Sequence, residues 1–206
     1  MDYKLLITGF DAFADNSVNP SFQVAQTLAF RNDIPGVSIN AYEMPTKWDV
    51  SAQILTQILA RNQYDGLIMI GLAANRAIIS LEKTAQNLDD STVSDNAGIL
   101  RQNQIIDPAA PEFLHTNLPV EPLASDLTAE GFPVEVSHSA GNYICNHLYF
   151  QALNLLSRPK DIVFIHIPPT DEMKINNPEY PASLPFNQIL NFLATLIMKL
   201  ANQNKP

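Results

Sequence analysis

The sequence predicts an α/β fold, a three-layer α/β/α sandwich built on a mixed, largely parallel central sheet. Three observations carry that prediction. Short apolar runs suited to buried strands recur at residues 4–8, 67–70 and 161–167. Segments with helical spacing of apolar residues alternate with them. The first half reads strand, helix, strand, helix, strand, an order that gives parallel strands with helices on both faces. Functional sites in such sheets lie at the carboxyl ends of strands. The loops after Thr8, Ile70 and Ser137 are therefore expected to converge.

Residues 4–8 form the first strand and end in Gly9-Phe10-Asp11-Ala12-Phe13. Asn19-Pro20-Ser21 starts a helix, with Asn as the cap and Pro at the first helical position. That helix runs to about Phe30. Residues 37–42 make a second strand. Residues 49–62 make a second helix, with Ile54, Leu55, Ile58 and Leu59 on its buried stripe. Asp65-Gly66 turns into the central strand, closed by Gly71. Residues 77–88 fit either strand or helix. Residues 89–118 are polar and proline-marked, a long surface excursion with a hairpin expected near Ala97-Gly98, of the kind used as lids or contact surfaces. A third helix is expected over 119–130, a strand over 133–137, a helix from Cys145 to about Leu156, a strand over 161–167 and an amphipathic helix over 184–202. No repeat or linker divides the chain, so residues 1–206 read as one domain.

With 46% hydrophobic and 16% charged residues, the chain has the composition of a folded globular protein. A net charge of −9 argues against nucleic acid or an anionic membrane as the main partner. The longest apolar stretch, residues 189–200, is too short to span a bilayer. One cysteine excludes an internal disulfide, and no signal-peptide pattern opens the chain, so the expected compartment is the cytoplasm.

That cysteine, Cys145, follows the small-residue bend Ser139-Ala140-Gly141 and falls in the first turn of a helix. Free N–H groups there can lower a thiol from about 8.5 to roughly 3.5–7.5 and can hold an oxyanion. A lone cysteine is by itself most often a small buried hydrophobe. Of four histidines, His166 ends a buried strand where the site is expected and is the candidate general acid–base; a hydrogen-bonded strand-end histidine is the other reading. His138 is a possible site-lining group. An imidazole needs an orienting partner. Glu82, in the apolar run Ile79-Ser80-Leu81-Glu82, is a stronger candidate than Asp89; a salt bridge with Arg76 or Lys83 is its alternative role. The chain has no Gly-x-Gly-x-x-Gly, no phosphate-binding Gly-Lys-Ser/Thr loop and no His-Glu-x-x-His. One cysteine with scattered histidines makes a poor zinc site.

Four blocks then resemble the pyroglutamyl peptidase type I family of cysteine peptidases. They are Thr8–Phe13 with Asn19-Pro20-Ser21, Gly71 to Asn87 with Asp89-Asp90, Ser139 to His147, and Phe164 to Pro168. The resemblance implies a Cys145, His166 and Glu82 triad and removal of N-terminal pyroglutamate from small blocked peptides. It also implies no metal or other cofactor, a cytoplasmic home and a homo-oligomer, a tetramer or dimer. It places Phe10, Phe13, Asn19, Leu72 and Ile144 at the substrate, the two Phe flanking the lactam ring. The chain departs from the family's pattern at Leu72, where Gln is usual, at Ala74-Asn75, at Ser91-Thr92 where Ala-Arg is usual, and at Ala12 and Ala14-Asp15. These departures leave two other readings open, a binding relative without turnover and a cysteine amidase with another acyl group.

Overall fold

The computed structural model describes residues 2–13, 18–31, 33–155 and 159–204. Its main sheet has six strands: β1 (Tyr3–Phe10), β2 (Val37–Met44), β3 (Gly66–Leu72), β4 (Ile79–Glu82), β7 (Val134–Ser137) and β8 (Asp161–Ile167). Their order across the sheet is β2-β1-β3-β8-β4-β7. The first four are mutually parallel, while β4 and β7, parallel to each other, run opposite to β8. A separate two-stranded ribbon pairs β5 (Thr84–Gln86) with β6 (Phe113–His115). The helices are α1 (Pro20–Arg31), α2 (Val50–Arg61), α3 (Val120–Ala129), α4 (Ile144–Asn154), α5 (Asp171–Asn176) and α6 (Phe186–Gln203).

Strand alternation produces the two outer layers. Leu5, Ile7, Ile68, Ile70, Val163 and Ile165 face one side, packing on Val24 and Leu28 of α1, Leu123 of α3 and Phe192 and Leu196 of α6. Leu6, Leu67, Met69, Ile162 and Phe164 face the other side, against Leu55 of α2 and Leu148 of α4. Every residue of β8 is buried, as a central strand covered on both faces must be.

Within residues 77–88 the chain is strand on both sides of a break, at Ile79–Glu82 and Thr84–Gln86. Lys83 donates its N–H to the Ser137 carbonyl and accepts the Thr116 N–H on its own carbonyl, handing the chain from the main sheet to the ribbon. The excursion over 89–118 is fastened rather than loose. An isolated bridge joins Asp89 to Gln104, and Trp48 on the β2–α2 loop donates its indole N–H to Ile99. The hairpin expected near Ala97-Gly98 is a tight turn without strands, with Gly98 at φ +79°. Helix α5 was not expected. Thr170 caps it through the Met173 N–H, and Asp171 and Glu172 occupy its first turn. Helix α4 ends at Asn154, and Leu156 lies outside the described residues, as do Ala14-Asp15.

Candidate active site

The carboxyl ends of β1 and β3 and the start of α4 meet at one cavity of about 280 Å³. Phe10, Phe13, Asn19, Leu72, Ile144 and Cys145 line it, with Val18, Thr46, Ala74 and Tyr143. The loop after Ser137 reaches it by an unexpected route. Strand β7 runs opposite to its expected direction but is short, so its end lies level with the middle of β8 and the chain climbs back through Ser139–Gly141. Gly141, at φ +77°, turns it into α4.

Cys145 is the second residue of α4. Tyr143 caps that helix without a side-chain hydrogen bond, which leaves first-turn N–H groups for other acceptors. The sulfur sits over Gly71, 3.0 Å from where a Cβ on that residue would stand. Gly71 lies directly opposite His166 in the β3–β8 ladder. His166 Nδ1 and Glu82 Oε1 are 2.7 Å apart, and both side chains are buried. This bond leaves Nε2 as the ring nitrogen for proton exchange. The Phe164 ring packs on the imidazole with centroids 4.8 Å apart. Arg76 also reaches Glu82 Oε1, at 2.6 Å, so the histidine contact and the alternative ion pair share one oxygen. Lys83 instead pairs with Glu121.

Burial is the main influence on the thiol. Cys145 as a residue is only half-buried, but its sulfur faces inward. Burial, then the Glu82 charge, push the thiol up to about 12; Arg76 and the cysteine's own N–H pull it down without cancelling them. The direction is opposite to the lowering that the helix N-terminus alone suggests, because burial outweighs it.

The aromatic walls are set by packing. Phe10 lies in the core beside Phe164, and Phe13 stacks on Tyr143 with centroids 5.2 Å apart. Asn19 is held by protein contacts. Its Oδ1 accepts from the Ser21 N–H and hydroxyl, and its amide donates to the Asp11 carbonyl. It thus caps α1 as predicted and fixes the first loop at the cavity rim. His138 is exposed and near Glu121, not at the cavity. His115 meets Thr84 in the ribbon.

Two supports were not read from the sequence. Asn146 completes a strand-like pairing with β5, accepting from the Gln86 N–H and donating to the Gln86 and Leu88 carbonyls. It braces the residue next to Cys145, and its one sequence signal is an Asn in the first turn of an otherwise apolar helix. His147 bonds Asp89, which also pairs with Arg101, and Arg101 lies against the Trp48 ring. That second histidine–carboxylate pair anchors the excursion to α4. Among the described residues no cluster of three or more His, Cys, Asp or Glu side chains could hold a metal, and no helix is long and apolar enough to cross a membrane.

Comparison with known proteins converges on one group. The pyroglutamyl peptidase family profile matches residues 3–203. A pyrrolidone-carboxylate peptidase of Lacticaseibacillus paracasei is 34% identical over 94% of this chain and 90% of its own. One from Gloeobacter violaceus is 36% identical over 85% and 86%. The crystal structure of pyroglutamyl peptidase I from Bacillus amyloliquefaciens superposes with a TM-score of 0.89 at 30% identity, covering 98% of both chains. That of pyrrolidone carboxyl peptidase from Fervidobacterium islandicum gives 0.92 at 28% identity, covering 98% of this chain and 99% of that one.

Proposed function

From the premise that the chain belongs to the pyroglutamyl peptidase family, a family of omega-peptidases, we propose that it cleaves after an N-terminal pyroglutamyl residue with Cys145 as nucleophile, His166 as proton carrier and Glu82 as orienting acid. The observation that carries the assignment is the Glu82–His166 hydrogen bond at 2.7 Å, on the strand position facing Gly71 beneath the Cys145 sulfur.

The Cys145 proton passes to His166 Nε2 as the sulfur attacks the carbonyl that joins pyroglutamate to the next residue. First-turn N–H groups of α4 receive the oxyanion, where one lost donor costs about 10²–10³ in rate. The tetrahedral adduct collapses to a thioester as His166 protonates the departing amine. His166 then takes a proton from water, hydroxide displaces the sulfur, and pyroglutamate leaves with the thiol restored. Glu82 holds the imidazole's tautomer through Nδ1. Phe10 and Phe13 wall the ring, Ile144 and Leu72 close the cavity, and Asn19 holds the first loop in place.

We read residues 1–206 as one domain that works in the cytoplasm. The single cysteine, which needs no oxidising compartment, supports that location. Exposed Val93, Ile99, Leu100, Ile105 and Phe113 on and beside the excursion support a homo-oligomer, dimer or tetramer, and light scattering measures its mass.

The test is release of a chromogenic amine from a pyroglutamyl amide. The parent should turn over and Cys145→Ser should not; full activity in that variant would remove Cys145 from the mechanism. Leu72 in the cavity wall favours one second reading, a shifted acyl group, which a panel of acyl amides would expose.

A further inference from the structure

A fourth side chain completes this site, and its role rests on the reading of Cys145, His166 and Glu82 just given. Arg76 stands on the loop between β3 and β4, where its own N–H bonds the Ala73 carbonyl at 3.0 Å. Its guanidinium spans two pieces of the active site. Nη1 donates to Glu82 Oε1 at 2.6 Å, and Nη2 donates to the Ser139 carbonyl at 3.0 Å. Ser139 opens the turn that delivers Cys145. Glu82 has no exposed side-chain surface, and its Oε2 has no hydrogen-bond partner among the described residues. Such a carboxylate needs a cation that stays charged whichever way the catalytic proton moves. His166 gains and loses its charge with that proton. Arg76 does not.

We propose that Arg76 is a positioning residue of the peptidase: its fork ties the orienting carboxylate to the turn before the nucleophile, and its charge offsets Glu82 so that a thiolate can form at Cys145. The charges that act on the thiol are Glu82 from β4 and Arg76 from the β3–β4 loop; Tyr143 from the cap of α4 also interacts with it and is kept neutral by burial, and His166 stands on β8 opposite Gly71, over which the sulfur sits. With Arg76 present, the thiolate, imidazolium, carboxylate and guanidinium sum to zero. Without it, the thiolate forms beside an excess negative charge, which disfavours it. Glu82 pushes the thiol up and Arg76 pulls it down.

The experiment measures iodoacetamide alkylation of Cys145 and turnover of a pyroglutamyl amide, each across pH, in the parent, Arg76→Met and Arg76→Lys. Arg76→Met should move the alkylation midpoint up by roughly one pH unit, a tenfold loss of thiolate at fixed pH, and lower kcat. Arg76→Lys keeps the charge but not the two-pronged contact, so its midpoint should stay near the parent's while kcat falls. An Arg76→Met profile that superimposes on the parent's overturns the proposal. So does an Arg76→Lys midpoint displaced as far as that of Arg76→Met. If Arg76→Met does not fold, Arg76→Gln replaces it with the same two outcomes. The alkylation readout needs no substrate. A parent that fails to turn over pyroglutamyl amides would therefore count against the functional reading, while the midpoints still decide the role of Arg76.

Discussion

Replacing Gly71 with Ala tests the geometry at its narrowest point. The added Cβ would lie 2.9 Å from two atoms of the Phe164 ring and 3.0 Å from the Cys145 sulfur. Non-bonded carbons prefer about 3.5–4.0 Å, so the overlap is roughly 0.5–1 Å. Phe164 has little room to yield, because it is wedged among Phe10, Tyr149 and His166. The sulfur, at the end of a short side chain beside a cavity, moves instead. A shift of about 1 Å in a reacting group can cost on the order of 10² in rate. Overpacking should also remove about 1–3 kcal/mol of stability. The expected result is a hundredfold fall in kcat on a pyroglutamyl amide with KM little changed, since residue 71 is not part of the cavity wall. Urea unfolding checks the stability term, and iodoacetamide checks the thiol. A Gly71→Ala enzyme with the parent's kcat and alkylation rate would show that the sulfur does not work from its position over Gly71.

In the ligand-free parent, alkylation of Cys145 should rise with pH through a midpoint above the free-thiol value of about 8.5, because burial favours the protonated form. The stability contributed by that retained proton is complete below the unfolded thiol's pKa and is lost as pH climbs towards about 12, so the thermal midpoint of the parent should drop relative to Cys145→Ala between those limits. Full alkylation rate below neutrality would contradict both. Leu72→Gln should sharpen preference for pyroglutamyl over prolyl amides by about 2- to 10-fold, the worth of one net hydrogen bond; an unchanged ratio would place the polar recognition elsewhere. Asp89→Asn should cost about 1–3 kcal/mol in urea unfolding, since it removes the buried charge shared by His147 and Arg101 and leaves Arg101 only the half-exposed Asp49 as a carboxylate partner. A loss under about 1 kcal/mol, the range of exposed pairs, would mean the network is not holding the excursion.

The strands and helices were legible where one physical signal dominated. Buried runs such as 161–167 and the Asn19-Pro20 cap left little choice. Residues 79–86 were not legible, because the strand changes sheets at Lys83 and no local pattern marks a change of partner. The reversal of β4 and β7 was equally hidden, since apolar alternation is the same in either direction. Helix α5 carried a cap and two acids that went unread in a short polar segment. In the site, Cys145 and Glu82 stood out as residue types at odds with their surroundings. The sequence could not show that Arg76 and His166 share one oxygen of Glu82, that Gly71 makes room for a sulfur, or that Asp89 orients His147. Those depend on contacts between distant segments. The upward push of burial on the thiol was hidden for the same reason: local backbone chemistry was visible, and depth was not.

The reversed polarity of β4 has a further consequence. Ser80 lies beside His166 and Glu82 beside Phe164, so the carboxylate reaches the imidazole from the last paired residue of β4, level with the middle of β8. Successive residues of a strand look to opposite sides. One extra residue inside Ile79–Glu82 would swivel the carboxylate towards the layer of α1, α3 and α6, whereas the same insertion at residues 77–78 would be absorbed before the strand begins. The rim loops can thus drift in sequence and reshape what enters, while the spacing between the Glu82 carboxylate and the His166 ring follows from main-chain pairing.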